Sequence, residues 1–270
     1  MASTKDTMTN HNDSIRSYQA LTNNEYVILP SLLACNFANL EHDIREAELA
    51  GAQALHLDIM DGHFVPNLSI GVPVVEAVRR ITDLVLDVHL MLSQPERYFH
   101  TFRKAGADSL TFHVEAIADQ KIQGHNFAQI GLKKDDLENH TEIIERIDSL
   151  LTEIHALGAG NGLSIIPPTD VEILRYWTNN CNNFLVMGVM PGFGGQKFDE
   201  GSLQKLSWLR EHAPKNVLRS IDGGVNANTI ESIRSRGATG FVMGTAIFNQ
   251  SGIQNNIKNY TKALHGGTQS

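Results

Sequence analysis

The residue types that can do chemistry in this chain sit inside short apolar runs. His56 and Asp58 lie two apart in 54-ALHLDIM-60, Asp87 and His89 two apart in 85-VLDVHLM-91, and Asp222 ends 217-VLRSID-222. Each run reads as a buried strand. Alternate residues leave a strand on one face, so His56, Asp58 and Met60 share a side. The same rule groups Asp87, His89 and Met91, and Ser220 with Asp222. Two histidines and two aspartates can therefore meet at one place. Imidazole and carboxylate donors suit Zn2+, Fe2+, Mn2+ or Co2+. Like charges held together cost energy unless a cation compensates them. A hydrogen-bonded core side chain explains any one of these residues, but explains the whole set poorly.

Glycines form a second group: Gly192, Gly194 and Gly195, then Gly223 and Gly224, then Gly244 beside Thr245. Without a Cβ, backbone N–H groups can approach an anion closely. Singly each glycine is ordinary turn chemistry; in consecutive late loops they suggest a phosphorylated substrate. Met60, Met91 and Met187 are a third group. They fit core filling and an apolar lid over a reacting carbon equally well.

These residues need elements to hold them. From Glu25 onward a short apolar run alternates with turn residues and an amphipathic stretch. The runs are Tyr26–Pro30, Ala54–Met60, Val85–Met91, Ser109–Glu115, Gly162–Ile166, Phe184–Met190, Val217–Asp222 and Gly240–Thr245. Between them, 39–52, 95–107, 141–158, 169–178 and 228–238 carry apolar residues at helical spacing, with Asn39 and Thr169 as expected N-caps. Eight strand–helix units in this length predict an α/β fold of the (β/α)8 TIM-barrel type, whose active site lies at the C-terminal strand ends and whose phosphate site often lies after strands seven and eight. A doubly wound sheet would carry G-x-G-x-x-G after its first strand, where this chain has 30-PSLLACNF-37. The 116–140 connection exceeds the usual βα loop of about 2–6 residues, and is expected at the rim as a solvated insertion, a subunit contact or a lid.

Bulk properties bound the partners. The chain has 270 residues, 41% hydrophobic, with a formal net charge of -8 and two cysteines. Such a charge argues against nucleic acid or an anionic membrane surface as partner. The cysteine count favours a reducing compartment, and the cytoplasm is expected. No apolar run is long enough to span a bilayer. Residues 1–24 are polar and expected to be a disordered extension, leaving one barrel over 25–266.

At 31-SLLACNFANL-40, 54-ALHLDIMDGHFVPNLSIG-71, 87-DVHLM-91, 112-FHVEA-116, 185-LVMGVMPGFGGQKF-198, 221-IDGGVN-226 and 243-MGTAIF-248 the chain resembles the ribulose-phosphate 3-epimerase family. The resemblance implies a ribulose-phosphate-binding barrel with one divalent ion, Zn2+ or Fe2+ foremost and Mn2+ or Co2+ as options. It implies His56, Asp58, His89 and Asp222 as ligands, with Asp58 and Asp222 also as the acid/base pair. Ser31, His89, Gly192, Phe193, Gly194, Gly195, Gly223, Gly224, Gly244 and Thr245 would contact a phosphorylated ketose, and the protein would be a homo-oligomer. The chemistry is coherent. Epimerisation beside a ketone needs a base on one face, an acid on the other, and stabilisation of the enediolate between them. Gly188, Met190, Ser220 and Ile166 depart from the family's usual polar residues. Related readings are a 3-epimerase of a ketohexose 6-phosphate such as D-allulose 6-phosphate, or a non-catalytic paralogue. A decarboxylase on a related barrel would need a lysine in a D-x-K-x-x-D arrangement, and 58-DIMD-61 has none.

Overall fold

The computed structural model describes residues 18–122 and 124–266. Its elements run β1 Val27–Pro30, α1 Leu40–Leu49, β2 Ala54–Met60, α2 Val72–Ile81, β3 Val85–Met91, α3 Phe99–Ala105, β4 Ser109–His113, then α4 Val114–Lys121, α5 Phe127–Ile130, α6 Lys134–Glu138 and α7 Thr141–Ala156. They continue with β5 Gly160–Ile165, a 3-10 helix Val171–Trp177, β6 Asn183–Met187, α8 Gly201–His212, β7 Leu218–Asp222, α9 Ile230–Ser235, β8 Gly240–Met243 and α10 Ile253–Leu264. The eight strands are parallel in the order β1-β8-β7-β6-β5-β4-β3-β2, and a Ser31–His56 bridge brings β1 to β2. This is the expected (β/α)8 barrel.

Parity along each strand divides the core. Outward residues such as Leu55, Leu57, Leu86, Val88, Leu110 and Phe112 are fully buried against the helices in one large cluster. Truncating one of these leucines to Ala costs about 2–5 kcal/mol. Inward residues are layered. On β2 the layers are Ala54, His56, Asp58 and Met60; on β3, in register, they are Val85, Asp87, His89 and Met91. Ala54 and Val85 belong to an apolar plug with Leu29, Leu185, Met187 and Val242. Met60 and Met91 belong to a second apolar cluster with Phe64, Val65, Ala116 and Ala128. The titratable residues lie between two apolar layers, so water cannot solvate them from below.

Four expectations need correction. Residues 18–24 are not a loose extension: Tyr18 and Leu21 are buried in the plug beneath the barrel. A Cβ on Gly160 would lie 2.6 Å from the Tyr18 ring, so glycine at that position makes the room. Residues 1–17 lie outside the described residues. The 116–140 connection is not a solvated loop. α4 starts directly after β4, and Phe127, Leu132 and Leu137 from the same stretch are buried in the main core. Segment 169–178 forms a 3-10 rather than an α-helix. The longer rise of that winding spans two anchors, Thr169 bonded to Glu115 and the fully buried Trp177. Thr169 is no N-cap, because its hydroxyl is committed to Glu115, and Asn39 occupies the N-cap position of α1 without a side-chain cap bond. The capping side chain one turn earlier is Asn36, which accepts from the Ala38 N–H at 3.1 Å.

Candidate active site

Strand pairing sets the geometry of the mouth. β2 and β3 pair in register, so Asp58 lies beside His89 and His56 beside Asp87. His89 Nδ1 is 3.1 Å from Asp58 Oδ1 and 4.0 Å from Asp222 Oδ2. His56 Nε2 is 3.2 Å from Asp58 Oδ1, while its Nδ1 is 2.8 Å from Asp87 Oδ2. One ligand atom from each of His56, Asp58, His89 and Asp222 lies within 4.8 Å of all the others. The Ser31 hydroxyl donates to Asp58 Oδ2 at 2.7 Å.

This donor set fits a divalent cation. His56 Nε2 is buried and has no hydrogen-bond partner, although it points at the carboxylates. Its other nitrogen is held by Asp87, which itself accepts from the Ser109 hydroxyl. A carboxylate behind an imidazole is the usual support for a metal-binding histidine. The electrostatics point the same way. Burial opposes charge on Asp58, but the His56 and His89 rings outweigh it and hold that carboxyl well below its ordinary range. Burial, and then the charge of Asp58, push Asp222 up to about 7. Burial would lower His56, yet Asp58 and Asp87 overcome it and raise the ring well above its usual value. Burial pushes His89 down to about 4 against the pull of Asp58. The cluster holds more carboxylate than it can neutralise, which is the situation a cation relieves.

A cavity of about 510 Å³ opens above this cluster. Ser31, Asp58, Met60, Met91, Met187, Gly192, Phe193, Gly194, Gly195, Asp222, Gly223, Gly224, Gly244 and Thr245 all line it. His56 and His89 do not; both are fully buried behind Asp58. Among the three methionines, Met187 belongs to the plug and the other two to the upper apolar cluster. Phe193 stands at the edge and is 55% exposed.

The glycine side is backbone held by side chains from elsewhere. Asn67 Nδ2 donates to Gly192 O at 2.6 Å across 125 residues of chain. Gln196 Nε2 donates to Met190 O at 2.6 Å and Phe193 O at 2.8 Å, bracing the loop after β6. Asp61 accepts from the His63, Phe64 and Ser93 amides, which shapes the loop after β2. The DGHFVPN and PGFGGQ stretches are thus each braced largely from within and are joined by the Asn67–Gly192 bond. Gly223 has φ +98°, and a Cβ there would lie 2.5 Å from Val189 Cγ2.

The unusual residues have local reasons. A Cβ on Gly188 would lie 2.4 Å from Gly223 O, so no side chain fits. Ser220 donates to Asn183 Oδ1 at 2.8 Å inside the barrel. Ile166 is fully buried, and its N–H donates to Glu115 Oε1 at 3.0 Å. Met190 lines the cavity. Strand parity missed His113 and Glu115. β4 ends at His113, so the two-residue spacing in 112-FHVEA-116 crosses a strand–helix junction and the parity rule fails there.

Comparison with known proteins agrees with the geometry. A model of the Ribulose-phosphate 3 epimerase family matches residues 27–134 and 119–248. "Ribulose-phosphate 3-epimerase" of Bacillus subtilis is 38% identical over 228 residues, 83% of this chain and 93% of that one. The protein of the same name from Synechocystis is 35% identical over 243 residues, 89% of this chain and 92% of that one. In fold alone, the 3-keto-L-gulonate-6-phosphate decarboxylase of Vibrio cholerae matches with a TM-score of 0.60 at 12% identity, covering 89% of this chain and 99% of that one. The match spans nearly the whole barrel, and the chain belongs to the ribulose-phosphate 3-epimerase family of isomerases.

Proposed function

We propose that the protein interconverts D-ribulose 5-phosphate and D-xylulose 5-phosphate by moving the proton at C3. The observation that carries this reading is the pair Asp58 and Asp222. Both face one cavity, and their environments push them apart: Asp58 stays ionised, while Asp222 is raised to about 7. Two titratable groups split in this way are the mark of an acid and a base in one site. An ionised Asp58 takes the C3 proton from one face, and a protonated Asp222 returns one to the other. In the reverse direction the roles exchange. The Ser31 hydroxyl, donating to Asp58, keeps that carboxylate aimed at the cavity.

His56, Asp58, His89 and Asp222 would hold one divalent ion, Zn2+ or Fe2+ by preference for imidazole with carboxylate. When bound, such an ion supplies Lewis-acid stabilisation of negative charge on the substrate's oxygens. Met60, Met91 and Met187 exclude water from the reacting carbon. Backbone amides of the loops after β6, β7 and β8 hold the hydroxyls and phosphate through Gly192, Phe193, Gly194, Gly195, Gly223, Gly224, Gly244 and Thr245. Both cysteines are free and buried, which fits a reducing compartment such as the cytoplasm. Among the described residues no helix is long and apolar enough to cross a membrane.

The test is a panel of ketopentose and ketohexose phosphates assayed in deuterated solvent, alongside metal analysis. Conversion of ribulose 5-phosphate with label entering at C3 is expected. Preference for a six-carbon ketose phosphate would move the assignment to that substrate, and epimerisation without label would end the two-aspartate scheme.

A further inference from the structure

A chain of buried hydrogen bonds leads away from the His/Asp cluster towards the ends of β4 and β5, and none of its members lines the cavity. His89 presents Nδ1 to Asp58 and Asp222, and its Nε2 lies 2.9 Å from His113 Nε2. His113 Nδ1 lies 3.3 Å from Glu115 Oε2. The other oxygen of Glu115 accepts from the Ile166 N–H and the Thr169 hydroxyl. All three members, His89, His113 and Glu115, are fully buried.

The protons in this chain have little freedom. A backbone N–H can only donate, and the Ile166 peptide is pinned from both sides, since Lys205 Nζ donates to its carbonyl at 2.8 Å. The Thr169 oxygen accepts from the Leu132 N–H, so its own hydrogen goes to Glu115. Glu115 is left with one acceptor oxygen facing His113. A neutral imidazole that donates from Nδ1 must accept at Nε2. Two ring nitrogens 2.9 Å apart need one donor and one acceptor, so His89 donates from Nε2. Its Nδ1 is then bare and points at the two aspartates.

We infer that Glu115 and His113 are positioning residues that fix the tautomer of His89, leaving Nδ1 free for a cation. Asp58 offers the opposite bond, because its Oδ1 can accept from an Nδ1–H at 3.1 Å. The relay decides between the two once Asp58 is committed to the ion. His56 is arranged in parallel, with Asp87 at its Nδ1 and its Nε2 facing Asp58 without a hydrogen bond. The inference rests on the metal reading above and extends it to residues outside the cluster.

Glu115→Gln is the sharpest probe. The fixed Ile166 donor holds the amide oxygen, so the amide NH2 must face His113. That ring turns over to Nε2–H and confronts the Nε2–H of a metal-binding His89. Full-length protein loaded with Zn2+ and labelled with 15N-histidine reports the protonated nitrogens directly. The expected wild-type result is His113 protonated at Nδ1 and bare at Nε2. Zn2+ affinity, read by competition with a chromophoric chelator, should fall roughly 10–100-fold in Glu115→Gln. Thr169→Val removes a hydrogen bond from the same carboxylate without presenting a donor to His113, and should change affinity by less than about threefold. Wild-type His113 protonated at Nε2 overturns the inference, whether or not the variants fold. So does a folded Glu115→Gln that binds Zn2+ as the wild type does, or a Thr169→Val loss as large as that of Glu115→Gln. Wild type that binds no Zn2+ at His56 and His89 overturns the metal reading itself, and the inference with it.

Discussion

Across the barrel mouth, β2 and β3 stand opposite β6 and β7, and the two sides are made of different material. The β2–β3 side is side chain: His56, Asp58, Asp87 and His89 are all buried, and each bonds to another member or to a supporting hydroxyl. Apart from Asp222, which completes the cluster from the end of β7, the β6–β8 side is mostly bare backbone, where Gly192, Gly195, Gly223 and Gly224 take positive φ. A side chain at Gly188 or Gly223 would collide with neighbouring atoms. Charge that must be created and moved needs ionisable groups in a dry place, where their interactions are strong. An anion that only needs to be held is better served by amides that neither titrate nor reorganise. Damage to the first side should therefore appear in turnover, and damage to the second in substrate affinity.

The largest expected effect is on the ionisable groups, Asp58 on β2 and Asp222 reaching the cluster from the end of β7. Asp58→Asn and Asp222→Asn should each lower turnover by about 10²–10⁴-fold, since each removes an acid/base group. Strong chelation should abolish activity, and added Zn2+, Fe2+, Mn2+ or Co2+ should restore it; full activity in protein shown to be metal-free would break the contrast at its root. Next comes the proton on Asp222. Because burial and Asp58 raise it to about 7, a cation must displace that proton below neutrality. Apparent metal affinity should drop at least about tenfold per pH unit below that point, because the proton on the raised His56 ring must leave as well. The sign for stability follows. A carboxyl raised in the folded state stabilises the metal-free protein at low pH, and that contribution is lost as the pH climbs from about 4 to about 7. His89, held down to about 4, carries the opposite slope between about 4 and 6.5. Thermal melts of stripped protein should therefore stay nearly flat over that span and decline towards 7, where Asp222 and the raised His56 ring act together; a midpoint that rises there instead would contradict it.

The backbone half should give smaller effects of another kind. Gly223→Ala places a Cβ against Val189 at a φ of +98° and should cost about 1–3 kcal/mol of stability. Its KM for the phosphorylated ketose should rise about tenfold through a displaced amide, with turnover within a few-fold and metal content unchanged. A loss confined to turnover would mean that the two sides do not divide the work as described. Phe193→Ala sharpens the contrast at its weakest point. The ring is 55% exposed, so stability should move by less than about 0.5 kcal/mol in a denaturant titration.

Much of this arrangement was legible in the chain. Strand parity put His56 with Asp58 and Asp87 with His89 on inward faces, because the two-residue period is a local property of extended backbone. Consecutive glycines after the sixth, seventh and eighth apolar runs marked the backbone half, because freedom at positive φ is written in residue type. Other features come from parts of the chain that no short-range pattern connects. Asn67 reaches Gly192 and Glu115 reaches Ile166 and Thr169, pairings fixed by how the barrel closes rather than by spacing. Phe127, Leu132 and Leu137 turned a long connection into barrel wall, and Tyr18 turned an apparent extension into a plug. The division between Asp58 and Asp222 lies furthest from the residue letters. Two identical side chains differ because one lies against two imidazoles and the other mainly against burial and its partner's charge, and those fields are sums over neighbours that exist only once the strands have met.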